Sequence, residues 1–224
     1  ENALPYLRWY HRMDSNCMVP TVDYRVQLID AAIGSPTDGD VSGSAQPSDG
    51  SDWRTLLVGT MGFGGKEIAC GDIDGDGNGG DLRSSSIFVL DVTDPEDPVF
   101  LWEKRLPDGS LALSYPGIVR RASDNSDNGN WYVVLGSGPL DPEGSSFVST
   151  PKLYTFNLRT GSKEGEIDLT DGANFKNGND LGNSPDVAVG EPLPLDPDQD
   201  DLTDALYFGT YGAAGAGDGG LYRL

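Results

Sequence analysis

The chain has 224 residues, with 15 Lys and Arg against 36 Asp and Glu, and a formal net charge of −21. So acidic a surface repels nucleic acid and anionic membranes, which sets both aside as partners. No apolar stretch approaches the roughly 20 residues of a membrane-spanning helix.

The first stretch, Arg8-Trp-Tyr-His-Arg12, is aromatic and basic and reads as a strand or a docking surface. His11 is the only histidine, so a Ser-His-Asp triad or a His-rich metal centre would have to rest on it, and no catalytic role is assigned. Cys17 and Cys70 are the only cysteines, with no Cys-x-x-Cys, so zinc and covalent haem lack support. The two readings left are a Cys17–Cys70 disulfide, in an extracellular setting, and two buried thiols. Residues 34–52 are rich in Gly, Ser, Asp and Pro and poor in apolar groups, the composition of a flexible surface loop.

The strand pattern then begins. Thr55-Leu-Leu-Val-Gly59 is an apolar run ending in Gly, and the type recurs as Tyr132-Val-Val-Leu-Gly136 and Leu206-Tyr-Phe-Gly209. A second type follows each one: Ile87–Asp91, Leu153–Asn157 and Leu221–Leu224. A third, outer type follows the first two, at Val99–Trp102 and Glu164–Asp168. Ahead of the later Gly-ended runs lie Pro116–Arg120 and Val187–Pro192. Turn formers join these runs, as in Asp91-Val-Thr-Asp-Pro95 and Asn157-Leu-Arg-Thr-Gly161. Asp124–Asn130 reads as a polar hairpin tip, and no segment sustains a helical apolar period.

Four short strands repeated about three times predict an all-β fold, a β-propeller of four-stranded blades, over residues 1–224. Propellers close with about 4–8 blades, so the ring is incomplete in this chain. Glu1 opens within structured-looking sequence and Leu224 stops within a strand pattern, so a piece of a longer protein is expected. The four tryptophans, Trp9, Trp53, Trp102 and Trp131, sit beside strand patterns and are expected to pack in the core or between blades.

Two acidic loops carry the chemistry. In residues 196–204, Asp196, Asp198, Asp200 and Asp204 occupy positions 1, 3, 5 and 9, with the Leu202 carbonyl at position 7. Carboxylates at this spacing repel unless a cation lies among them, and a hard ion with many oxygen ligands, above all Ca²⁺, suits them. Position 12 is Tyr207 rather than Glu, so the loop departs from an EF-hand, and Asp201 stands where an EF-hand has Gly. The second loop, residues 72–81, offers Asp72, Asp74, Asp76, Asn78 and Asp81, the last one place late. The bland readings are a solvated acidic turn and a Gly/Asp hairpin. Paired carboxylates for glycoside hydrolysis are not singled out anywhere in so acidic a chain.

The order of these elements resembles the C-terminal β-propeller of the PilY family of type IV pilus proteins. The resemblance rests on Asp52-Trp-Arg-Thr-Leu-Leu-Val-Gly59 with Met61-Gly-Phe-Gly-Gly65, Ser86-Ile-Phe-Val-Leu-Asp-Val-Thr-Asp-Pro95 and Phe100-Leu-Trp-Glu103. It continues in Trp131–Gly138, Leu153–Asn157 and the 196–204 loop ahead of Leu206-Tyr-Phe-Gly209. The resemblance implies an exported bacterial protein of the cell surface, at the pilus tip or outer membrane, that supports pilus assembly, adhesion and twitching motility. It implies pilins or minor pilins as partners, together with host or surface ligands and the remainder of the propeller. The family's calcium site falls on Asp196, Asp198, Asp200, Leu202 and Asp204, whereas the 72–81 loop is not a general family feature. Two other readings stay open: a calcium-stapled adhesive or scaffold propeller with no pilus role, and a quinoprotein-type dehydrogenase. The second lacks the adjacent cysteines of such enzymes, and the expectation is a protein that is not an enzyme.

Overall fold

The computed structural model describes residues 22–33, 53–64, 85–107, 109–123, 126–140, 151–171, 187–212 and 219–224. These form twelve strands in three antiparallel sheets, with no helix among the described residues. The first sheet runs β1 (Val26–Ala32), β2 (Trp53–Thr60), β3 (Ser86–Asp91), β4 (Val99–Arg105) in spatial order. The second repeats the plan with β5 (Gly117–Ser123), β6 (Ser126–Gly136), β7 (Lys152–Asn157) and β8 (Lys163–Asp168). In the third, β9 (Val187–Val189) and β10 (Leu193–Leu195) both pair with β11 (Ala205–Gly212), which pairs in turn with β12 (Leu221–Arg223). This is the expected blade plan, and three sheets leave the ring open.

The predicted Gly-ended runs lie in β2, β6 and β11, and each second-type run falls on the strand that follows. Three details differ from the sequence reading. Val187–Pro192 is not one strand with its surroundings: Gly190, Glu191 and Pro192 interrupt the edge and split it into β9 and β10. Pro192 has no N–H to give a ladder, which suits such a break. The hairpin tip is narrower than Asp124–Asn130, because the β5–β6 ladder continues to Ser123 opposite Ser126. Strand β1 carries no clean alternation, with Gln27 and Asp30 among its apolar residues, and escapes the pattern.

Burial explains why the middle strands read as continuous apolar runs. Successive side chains of a strand point to opposite faces. Ile118, Val133, Leu135, Tyr154 and Phe156 pack with Leu56, Val58, Ile87, Val89 and Trp102 of the first sheet. Their neighbours Val119, Val134 and Leu153 pack instead with Val189 and Phe208 of the third. The second sheet is therefore buried on both faces. The first sheet buries one face and shows the other, where Leu28, Leu57, Leu90 and Phe100 are cross-strand partners in a single row. Leu28 is 64% exposed and Phe100 51%.

Each Gly-ended strand continues with a hydroxyl: Thr60, Ser137 and Thr210. In two sheets this hydroxyl receives the backbone N–H at the entry to the next strand, Lys152 to Ser137 at 2.9 Å and Gly220 to Thr210 at 3.0 Å. The glycines leave room for neighbours. A Cβ on Gly59 would lie 2.5 Å from the Phe88 ring, and one on Gly136 would lie 2.6 Å from Val189 of the adjacent sheet. Turns repeat as well: Asp91 receives both the N–H and the hydroxyl of Thr93, and Asp168 does the same for Thr170.

The seams between sheets use main-chain atoms. Val189 N–H donates to Ser137 O at 2.9 Å, the Ser114 hydroxyl to Gly190 O at 3.0 Å, and Thr203 N–H to Arg120 O at 2.8 Å. No described helix is long and apolar enough to cross a membrane.

Candidate metal site

The 196–204 loop links β10 to β11 and is held from both sides. Asp204 N–H donates to Leu195 O at 2.9 Å within its own sheet. On the other side, Thr203 bonds Arg120 of the second sheet through its N–H and receives Arg120 N–H on its hydroxyl at 3.2 Å. Inside the loop, Asp196 acts as the hub. Its Oδ1 receives the N–H of Gln199 at 2.8 Å and of Asp200 at 3.3 Å, and its Oδ2 the N–H of Asp201 at 2.9 Å. Short acidic side chains favour such local bonds over regular structure.

This winding takes the backbone into the left-handed region at Gln199 (φ 60°) and Asp201 (φ 66°). Left-handed Asp201 agrees with its place at position 6, since Asp tolerates that region better than most residues. Gln199 is the less expected of the two, and no sequence signal marks it.

Carboxylate oxygens of Asp196, Asp198 and Asp204 all lie within 4.8 Å of one another. Asp200 does not join this group; its Oδ1 receives Leu202 N–H at 2.8 Å. It still lies near enough to act: the charge of Asp200 first, and that of Asp204 next, raises the Asp198 carboxyl above the ordinary Asp value. Like charges gathered in one loop, with oxygen donors only, fit a hard divalent cation and offer nothing to a soft one. Asp196, Asp198 and Asp204 would hold such an ion. The expected ligands Asp72, Asp74, Asp76, Asn78 and Asp81 lie outside the described residues, as do Cys17, Cys70, His11 and Trp9.

A cavity of about 270 Å³ lies against the same loop. Asp196, Asp201, Leu202 and Thr203 form one wall, and Trp53, Ile118, Arg120 and Trp131 line it from the other two sheets. No single stretch of sequence signals it, because its lining is assembled from all three sheets.

No family model matches the chain. Curated relatives do match. A type IV pilus biogenesis factor PilY1 homolog of Xylella fastidiosa is 36% identical over 112 residues, 49% of this chain and 7% of that protein. A second homolog from that organism is 30% identical over 165 residues, 71% of this chain and 9% of that protein. The type IV pilus biogenesis factor PilY1 of Pseudomonas aeruginosa PAO1 is 28% identical over 163 residues, 71% of this chain and 11% of that protein. Among solved structures, the crystal structure of the Pseudomonas aeruginosa PilY1 C-terminal domain covers 90% of this chain, with a TM-score of 0.52 and 22% identity.

The chain is a relative of PilY proteins, matching part of their C-terminal domain.

It spans about a tenth of the curated PilY relatives and 30% of the solved domain. The PilY-type fold is thereby established for these three blades. The relatives are named for pilus biogenesis and not for a catalysed reaction.

Proposed function

We propose that the chain is a calcium-binding β-propeller segment of an exported, cell-surface protein associated with type IV pili, which supports pilus assembly, adhesion and twitching motility. The observation that supports it most is the convergence of Asp196, Asp198 and Asp204 in a loop tied to two sheets, within a chain whose relatives are pilus biogenesis factors. Calcium takes many oxygen ligands in flexible geometry, which suits carboxylates on a short irregular loop. An ion there would offset the repulsion around Asp198 and fix the wall that the loop presents between blades. A fixed surface spares a partner the ordering cost at each encounter. The partners proposed are pilins or minor pilins, with surface ligands beyond them.

The test is Asp196→Ala with Asp204→Ala in the parent organism, with export checked by immunoblot. The expected result is exported protein, lost calcium binding, and changed pilus number or twitching. Normal pili and motility with calcium binding lost would favour a calcium-stapled scaffold with no pilus role.

A further inference from the structure

The cavity beside the acidic loop is lined, apart from Asp196, by residues that the cation site does not use. Arg120 is 17% exposed, and a guanidinium carries five N–H donors. Its nearest carboxylate oxygen, on Asp201, lies 3.8 Å away, beyond hydrogen-bond length, and its Nε is shut from solvent with no acceptor among the described residues. Arg120 stacks on Trp131, 5.5 Å from the ring centroid. Trp131 in turn meets Trp53 edge to face at 6.3 Å, and Trp53 stays 40% exposed. The cavity therefore joins an under-satisfied donor group, an open aromatic ring and two carboxylates, those of Asp196 and Asp201.

We propose that this cavity binds a neutral saccharide ring. The lining selects that chemistry by exclusion and by fit. With Asp196 given over to the cation site, the Arg120 guanidinium and the Asp201 carboxylate offset each other and favour neither an anion nor a cation. What remains is a neutral ligand with both acceptors and donors. Hydroxyl oxygens accept from Arg120, hydroxyl hydrogens are received by Asp201, and the C–H face of a sugar lies on the indole of Trp53. At about 270 Å³ the space is at the small end for ligand sites, so it admits one ring rather than a buried chain. The site adjoins the proposed cation site and shares the Asp196 wall with it, while Trp53, Arg120 and Asp201 belong to the cavity alone.

The test is saturation-transfer NMR on the full-length protein, with glucose, galactose, mannose and N-acetylglucosamine as probes, in calcium and again in chelator. At least one sugar should receive saturation at its ring C–H protons and quench tryptophan fluorescence. Trp53→Ala should abolish both signals. Asp201→Asn, at a side chain 85% exposed and so without burden on the fold, should weaken binding about tenfold. Silence from all four sugars, or a signal unchanged in both variants, overturns the proposal and leaves a water-filled gap. Displacement of the tryptophan signal by a peptide while all sugars stay silent overturns it too, in favour of a protein ligand.

Discussion

The indole N–H of Trp102, on the outer strand of the first sheet, donates to the carbonyl of Leu158 in the second at 2.8 Å. The Trp102 ring also lies against Gly161, whose φ of 68° is left-handed and where a Cβ would fall 2.6 Å from the indole. One buried side chain thus closes the outer end of the seam by a hydrogen bond and by close packing together.

Trp102→Phe should cost about 1 kcal/mol from the lost hydrogen bond, and Trp102→Ala about 3–5 kcal/mol from the cavity as well. Gly161→Ala should cost more than about 1 kcal/mol, since strain in the backbone adds to the clash. Urea unfolding of the three variants checks the order. A Gly161→Ala protein as stable as the parent would mean that the Thr160–Gly161 turn does not hold the indole.

Acid should weaken the second sheet at its outer strand. Hydrogen bonds from Lys152 and then Lys163 hold Glu166 below the ordinary value of 4.5, and the Thr170 hydroxyl and then its N–H hold Asp168 below 3.8. A carboxyl whose folded pKa is depressed stabilises the fold above its unfolded value, and that stability is lost as pH falls through the folded one. The urea midpoint should therefore drop as pH falls below about 4.5. Glu166→Gln with Asp168→Asn should flatten that drop, and an unchanged slope would assign the acid response to other groups.

Calcium should raise the melting temperature, because an ion bound only by the folded state stabilises by mass action, about 2.7 kcal/mol at a hundredfold excess over Kd. Magnesium should do less, as it demands octahedral geometry and keeps its waters. Asp196→Ala should remove the calcium effect and also loosen the loop, since Asp196 receives three of its N–H groups. Asp204→Ala should remove the effect alone. Calorimetry with both variants distinguishes the two, and a melting curve indifferent to chelator would leave the loop a solvated turn.

The row Leu28–Leu57–Leu90–Phe100 should drive self-association of the 224-residue chain when it is expressed by itself. The opposite face of the same sheet packs on a neighbouring blade, and exposed apolar rows of this kind seek cover. Leu28→Ser with Phe100→Ser should shift the sedimentation profile toward monomer. A monomeric parent chain would show that the row is tolerated in water.

The blade plan was legible because each run combined a strand-forming apolar stretch with a glycine that a neighbour requires, as at Gly59 under Phe88 and Gly136 against Val189. Strand β1 was not, because its mixed faces blur the alternation on which such reading depends. At the loop, spacing identified the convergent Asp196, Asp198 and Asp204. It could not foresee that Asp200 would take Leu202 N–H, a local bond decided by backbone winding and not by position. The Trp53–Trp131–Arg120 corner was legible only as separate packing residues, since its meaning lies in contacts across sheets.

The seams bear on how such a protein ages through mutation. Four of the bonds that pin blade to blade end on carbonyls, those of Ser137, Gly190, Arg120 and Leu158. A carbonyl persists whatever side chain replaces its residue. Substitutions can therefore accumulate along these acceptor positions without unfastening the blades, and an architecture built this way outlasts the sequence that first specified it.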